Sequence, residues 1–135
     1  MSDGPGQGLT DEELSFLQSM LDLARAGDPL LLEHVDAGLP VDLTNSSGDT
    51  LLLLAAYHVH VDLVAGLLER GADHSRVNDR GQTALGAAVF RRRADVVTRL
   101  LGAGADPTLG RQSGYAVAEV FELPEMTALL RGEGA

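Results

Sequence analysis

From Asn45 to Tyr57 the chain reads NSSGDTLLLLAAY, and 33 residues later, from Asn78 to Phe90, it reads NDRGQTALGAAVF. The spacing persists well beyond these two stretches. Gly48 recurs as Gly81 and Gly114, Thr50 as Thr83, and Leu52 as Leu85; the pair Leu67-Leu68 recurs as Leu100-Leu101. Gly38 recurs as Gly71 and Gly104, and Ala72-Asp73 as Ala105-Asp106. A unit this short cannot cover its own apolar face, so copies must stack side by side and serve as one another's core.

Within each unit the pattern reads turn, helix, helix, turn. Thr50 and Thr83 are placed to cap a short first helix, and Ala55-Ala56 and Ala87-Ala88 give it a small-residue face that lets neighbouring helices approach. In the second helix Leu63, Val64, Leu67 and Leu68, copied as Val96, Val97, Leu100 and Leu101, make one buried stripe. Gly71 and Gly104 follow where a helix ends in the left-handed conformation. Aromatic residues make up only 4% of the chain, so the core must come from Leu, Val and Ala, a composition suited to close-packed helices. These features predict an all-α solenoid of stacked helix-turn-helix units with short turn tips.

The ends read as caps on that stack. Thr10 and Glu13 form the spacing of a capping box, with Leu9 and Leu14 at the positions of a hydrophobic staple. A helix is therefore expected from about residue 11 to Ala26, with Asp28 and Pro29 opening a second that ends at Gly38. Near the other terminus a helix is expected around 115–122, and Pro124 starts another. The expected organisation is a tail over 1–9, one domain over 10–131 in units of about 10–44, 45–77, 78–110 and 111–131, and a tail over 132–135.

The 33-residue unit with Gly-x-Thr-x-Leu, Ala-Ala, a Leu-Leu pair and Gly-Ala-Asp resembles the ankyrin repeat. The resemblance covers roughly residues 20–131 and implies a protein-binding scaffold. Two departures stand out. The family's Thr-Pro-Leu-His is Thr50-Leu-Leu-Leu53 in one copy and Thr83-Ala-Leu-Gly86 in the next, which removes the Pro and His that tie neighbouring turns. Its Gly-His at the second helix is Val59-His60 and then Arg92-Arg93, so looser turns are expected.

Other chemistries fit poorly. The absence of Cys removes thiol catalysis, disulfides and Cys-based zinc sites. His58, His60, Asp62 and His74 are metal-ligand types, but the copy of His58-x-His60 is an arginine run, and His60 occupies the family's structural His position. GAGADPTLG, from Gly102, ends a helix where a phosphate loop would open one, and DGPGQG, from Asp3, lies in the expected tail. Ser113 lacks a nucleophile elbow, so no catalytic residue, metal or cofactor is expected. The start of the chain lacks a secretory pattern and no run approaches the roughly 18 apolar residues of a membrane span, giving a cytoplasmic expectation.

The net charge of −10 argues against a nucleic-acid partner. That charge is uneven: residues 1–75 carry −11, residues 76–111 carry +4, and residues 112–135 carry −3. All ten basic residues are Arg. The run Arg91-Arg92-Arg93 is either a solvated turn or an anchor for an acidic partner.

The resemblance implies that a partner protein lies across the concave surface made by turn tips and first helices. Carried onto this chain, the positions are Asp49, Tyr57, His58, Asp79, Arg80, Gln82, Phe90, Arg91 and Tyr115. Tyr57 and Phe90 are equivalent residues of adjacent units and, beside Arg80 and Arg91, form a candidate hot spot, or else they fill the seam between helices. A monomer is the first expectation. The alternatives are salt-sensitive self-association between unequal charged patches, and service as an accessory or inhibitory subunit of an enzyme.

Overall fold

In the computed structural model, which describes residues 8–133, the chain forms eight helices in four consecutive pairs. They are α1 (Asp11–Ala26), α2 (Leu30–Asp36), α3 (Leu51–Tyr57), α4 (Val61–Glu69), α5 (Ala84–Phe90), α6 (Ala94–Gly102), α7 (Gly114–Val120) and α8 (Pro124–Leu130). No strand occurs among the described residues. The first helices α1, α3, α5 and α7 pack in succession as one layer, and α2, α4, α6 and α8 form the layer behind it. The expected tail residues 1–7 and 134–135, including most of DGPGQG, lie outside the described residues.

The two inner first helices are sandwiched on both sides, and their sequences show it. Every residue from Leu51 to Ala56 is buried, as is every residue from Ala84 to Val89, whereas Tyr57 and Phe90 at the helix ends are exposed. A helix that is apolar all round is stable only in such a position. The second helices bury one stripe instead: Leu63, Val64 and Leu67 in α4, and Val96, Val97 and Leu100 in α6, with Leu68 and Leu101 half-buried beside them. Pair by pair these residues fuse into one core that runs from Met20 to Leu130.

The caps follow the sequence logic closely. Thr10 Oγ1 accepts from the Glu13 N–H at 3.1 Å, and Glu13 Oε1 accepts in return from the Thr10 N–H at 2.9 Å. The Thr50 and Thr83 hydroxyls accept from the N–H groups of Leu53 and Gly86. In α2 the regular helix begins one residue later than Asp28 and Pro29 suggest: Pro29 is the N-cap in helical φ and ψ, and the Asp28 carboxylate accepts from the Leu30 N–H at 3.0 Å. Leu9 and Leu14, spaced as a staple, are both exposed.

One equivalence read from the sequence is corrected. Ser113 caps α7 by accepting from the Ala116 N–H, as Thr50 and Thr83 cap α3 and α5. The interval from Thr83 to Ser113 is 30 residues, against 33 from Thr50 to Thr83. Gly114 is therefore the first residue of a helix and no counterpart of Gly48 and Gly81. Tyr115 likewise leaves the turn tip where the 33-residue register put it. It sits in α7 at the position of Leu52 and Leu85, half-buried against the core.

The turn between the helices of a pair places Val59, Arg92 and Glu122 at φ of 60°, 57° and 53°, a left-handed conformation that a Cβ disfavours. Arg92 is exposed and forms no ion pair among the described residues. Removing its Cβ relieves about 1–2 kcal/mol of strain, partly offset by the looser unfolded chain that glycine allows. Arg92→Gly is expected to raise stability by about 0.5–1 kcal/mol, read as a higher urea midpoint; an unchanged or lower midpoint would contradict the strain account.

Candidate protein-binding surface

The turn tips are built by asparagine. Asn45 Oδ1 accepts from the N–H groups of Ser47 and Asp49, each at 2.9 Å, and Asn78 Oδ1 accepts from those of Arg80 and Gln82 at 2.9 and 2.8 Å. Such side-chain to backbone bonds fold a tight loop without the missing Pro. Asn78 also joins one tip to the previous one: its Nδ2 donates to Asp49 Oδ1 at 2.7 Å and to Gln82 Oε1 at 2.8 Å. Backbone bonds continue the row, from the Asp79 N–H to the Ser47 carbonyl and from the Gln112 N–H to the Gly81 carbonyl. The tie that the absent His would have made is thus supplied by Asn78 and Gln112.

Behind the tips, the first helices end in a file of aromatic rings. Tyr57 and Phe90 lie nearly parallel with centroids 6.3 Å apart, and Phe90 meets Phe121 edge to face at 5.3 Å. Arg91 reaches back across the seam: Nη1 donates to the Tyr57 carbonyl at 2.7 Å, and its guanidinium carbon lies 5.2 Å from the Tyr57 ring centroid. This is cation–π geometry. His58 packs edge-on to Tyr57. Burial, followed by the neighbouring His60, Arg91 and Arg25, holds the His58 imidazole below its ordinary pKa.

Between tips and rings runs a groove of about 270 Å³, with Gln82 and Gln112 on one side and Tyr57, Phe90 and Phe121 on the other. Its floor comes so close to the next tip that a Cβ on Gly86 would collide with the Gln112 carbonyl oxygen. A second depression of about 280 Å³ continues it past Tyr57 to Asp49, His58, Arg80 and Arg25.

The residues named from the sequence divide into two groups here. Tyr57, His58, Phe90, Arg80 and Gln82 line the groove or its continuation, Arg91 lies against the Tyr57 ring, and Asp79 is exposed at a tip. Asp49 and Gln82 are occupied in the tip network by Asn78, and Tyr115 is in the helical core. Phe121 was missed because the interval from Thr83 to Ser113 is three residues shorter than that from Thr50 to Thr83. The shared run Ser/Thr, three residues, Val or Leu or Ala, then Ala, read from Ser113, would have aligned Val120 with Tyr57 and Phe90 and Phe121 with His58 and Arg91.

The histidines expected to be structural show what one of them does. His60 Nε2 lies 2.7 Å from the Arg25 carbonyl oxygen, and its ring fills the space where a Cβ on Gly27 would stand. It couples the first pair to the second. A further link between those pairs is the two-pronged contact of Arg70 with Asp36, at 2.8 and 3.0 Å, which holds the Asp36 carboxyl below its usual range.

Residues 21–110 match the family model for ankyrin repeats, in three copies. The chain is an ankyrin-repeat protein. It is 45% identical over 65 residues to a protein of Pseudomonas aeruginosa described as an ankyrin repeat protein. That alignment covers 47% of this chain and 38% of the relative's length. Ankyrin repeats are in general protein-interaction modules and as a class are not catalytic. No helix among the described residues is long and apolar enough to cross a membrane.

Proposed function

We propose that the chain is a non-enzymatic binding module that holds a partner protein in the groove between its turn tips and the ends of its first helices. The observation that carries this reading is the aromatic file Tyr57, Phe90 and Phe121. Phe90, which ends a helix whose other six residues are all buried, is 43% exposed, and Phe121, which caps the end of α7 beside the exposed Val120, is 48% exposed. Exposed rings beside an arginine are the residue types that dominate interface energetics. Rigid tips flank them, so a partner segment can dock without ordering the surface first. Arg80 and Arg91 favour carboxylates in that segment, and service as an accessory or inhibitory subunit of an enzyme would use the same surface.

The test is affinity capture from native extract with three baits: the parent, Phe90→Ala/Phe121→Ala, and a control, Thr98→Ala/Arg99→Ala, on the opposite layer. Truncating two central aromatic anchors removes several kcal/mol, so retention of a true partner is expected to fall more than about tenfold with the double variant and to persist with the control. Circular dichroism checks that each bait is folded. Equal retention by the parent and the Phe90/Phe121 variant would overturn the assignment.

A further inference from the structure

Helix α1 is built differently from its counterparts. It runs for 16 residues, against seven in each of α3, α5 and α7. Its buried residues, Met20, Leu21 and Ala24, lie in the C-terminal half, and every residue from Gly8 to Phe16 is exposed. The surplus length carries the helix about 13 Å beyond what its equivalents span. It passes the first turn tip, where Leu14 and Leu17 face Thr44, Asn45 and Ser46 across a shallow depression. The projecting part is both apolar and acidic. Leu9, Leu14 and Phe16 are 49%, 45% and 44% exposed, and Asp11, Glu12 and Glu13 stand among them.

The groove itself is uncharged and largely apolar, and arginines stand beside it, with Asp49 in its continuation held by Asn78. Its wall is aromatic, Arg80 borders its continuation, and Arg111 lies across Gly81 in the tip beside it. Neither arginine has an ion-pair partner among the described residues. Both belong to the segment 76–111 that carries +4 in a chain of −10.

We infer that the groove of one copy receives the projecting acidic end of α1 from a second copy. This inference rests on the reading of the groove as a protein-binding surface and names a second chain as its occupant. Two molecules of charge −10 repel at long range. At about 0.1 M salt, however, the screening length is about 10 Å, so distant charges are damped while contacts at about 3–4 Å keep their attraction. Projection and groove are different surfaces, so a single contact leaves one of each open, either to the same partner in return or to a third chain.

Sedimentation velocity of the full chain, over a micromolar to submillimolar concentration series at about 0.1 M and about 0.5 M salt, tests this. The parent is expected to gain mass with concentration at the lower salt, and the association constant to fall about tenfold or more at the higher. Glu12→Arg/Leu14→Ser disables the projection and spares the capping box; Arg80→Glu/Arg111→Glu disables the groove. Each variant alone is expected to stay monomeric, whereas an equimolar mixture forms a dimer that grows no further, because each retains the face that the other lacks. That restoration also excludes misfolding as the cause of the loss.

A parent that is monomeric at every concentration overturns the inference, as does undiminished association of either variant or a mixture that stays monomeric. The capture experiment tests the groove independently. A foreign protein lost with Phe90→Ala/Phe121→Ala beside a monomeric parent would retain the groove and replace its occupant.

Discussion

Leu85→Ala is expected to cost about 3–5 kcal/mol, a large share of the roughly 5–15 kcal/mol that holds a typical domain together. Leu85 is 1% exposed in α5, the helix that packs against α3 on one side, α7 on the other and α6 behind. None of those neighbours can collapse into the space, because each is held by its own contacts further along the row. The transfer loss and the cavity therefore add. Its position also decides how the loss is felt. In a stack where each pair touches only its neighbours, weakening the middle uncouples the halves, while weakening an end frays that end. Urea denaturation followed by circular dichroism should show a much lower midpoint for Leu85→Ala. Met126→Ala, in the last pair, should instead leave most of the helix signal with a smaller shift. Similar midpoints for the two variants would mean that the row unfolds as one block without regard to position.

Asn78→Ala should cost about 2–3 kcal/mol although it removes no apolar contact. Both donors and both acceptor sites of the Asn78 amide are used: Nδ2 bonds Asp49 and Gln82, and Oδ1 receives the backbone N–H groups of Arg80 and Gln82. Only 6% of the residue is exposed, so water cannot replace all four bonds. Asn78→Asp should be worse at pH 7, since it keeps the acceptors but turns a carboxylate toward the Asp49 carboxylate. Protonation should return part of the loss as the pH falls toward about 4, because a like-charged pair has its pKa raised in the folded state. Thermal unfolding of both variants at pH 7 and near pH 4.5 separates the contributions. An alanine variant within about 0.5 kcal/mol of the parent would show that the tips need no such tie.

The layered helical architecture was legible because it is written in residues that have only one physical use. Thr before an apolar run, Gly after one, and Ala in the middle leave few alternatives, and Thr50, Thr83, Gly71 and Gly104 all do in the structure what their types require. The proposed binding surface was harder to read because its residues are less constrained by packing. Tyr57 and Phe90 could be named only by their register, and the same register failed at Tyr115 once the last turn lost three residues. A coincidental glycine at 114 supported the wrong alignment, whereas Ser113, a capping residue of a different type, carried the right one. The role of Asn78 was hidden for another reason. Its amide acts across 29 residues, on Asp49, and local spacing carries no trace of such a bond.

The placement of Tyr57 and Phe90 bears on how such a protein can change. In α3 and α5 six consecutive residues are committed to the stack, and the seventh faces out at the groove. The proposed recognition and the folding thereby fall to different letters of the same short word. On the proposed reading, a substitution at 57, 90 or 121 changes what the groove selects while leaving the buried letters untouched, at the cost only of the ring contacts among these residues and the Arg91 contact to Tyr57. If the groove is the binding surface proposed above, a lineage carrying this scaffold can exchange one partner for another in single steps, without passing through an unfolded intermediate sequence.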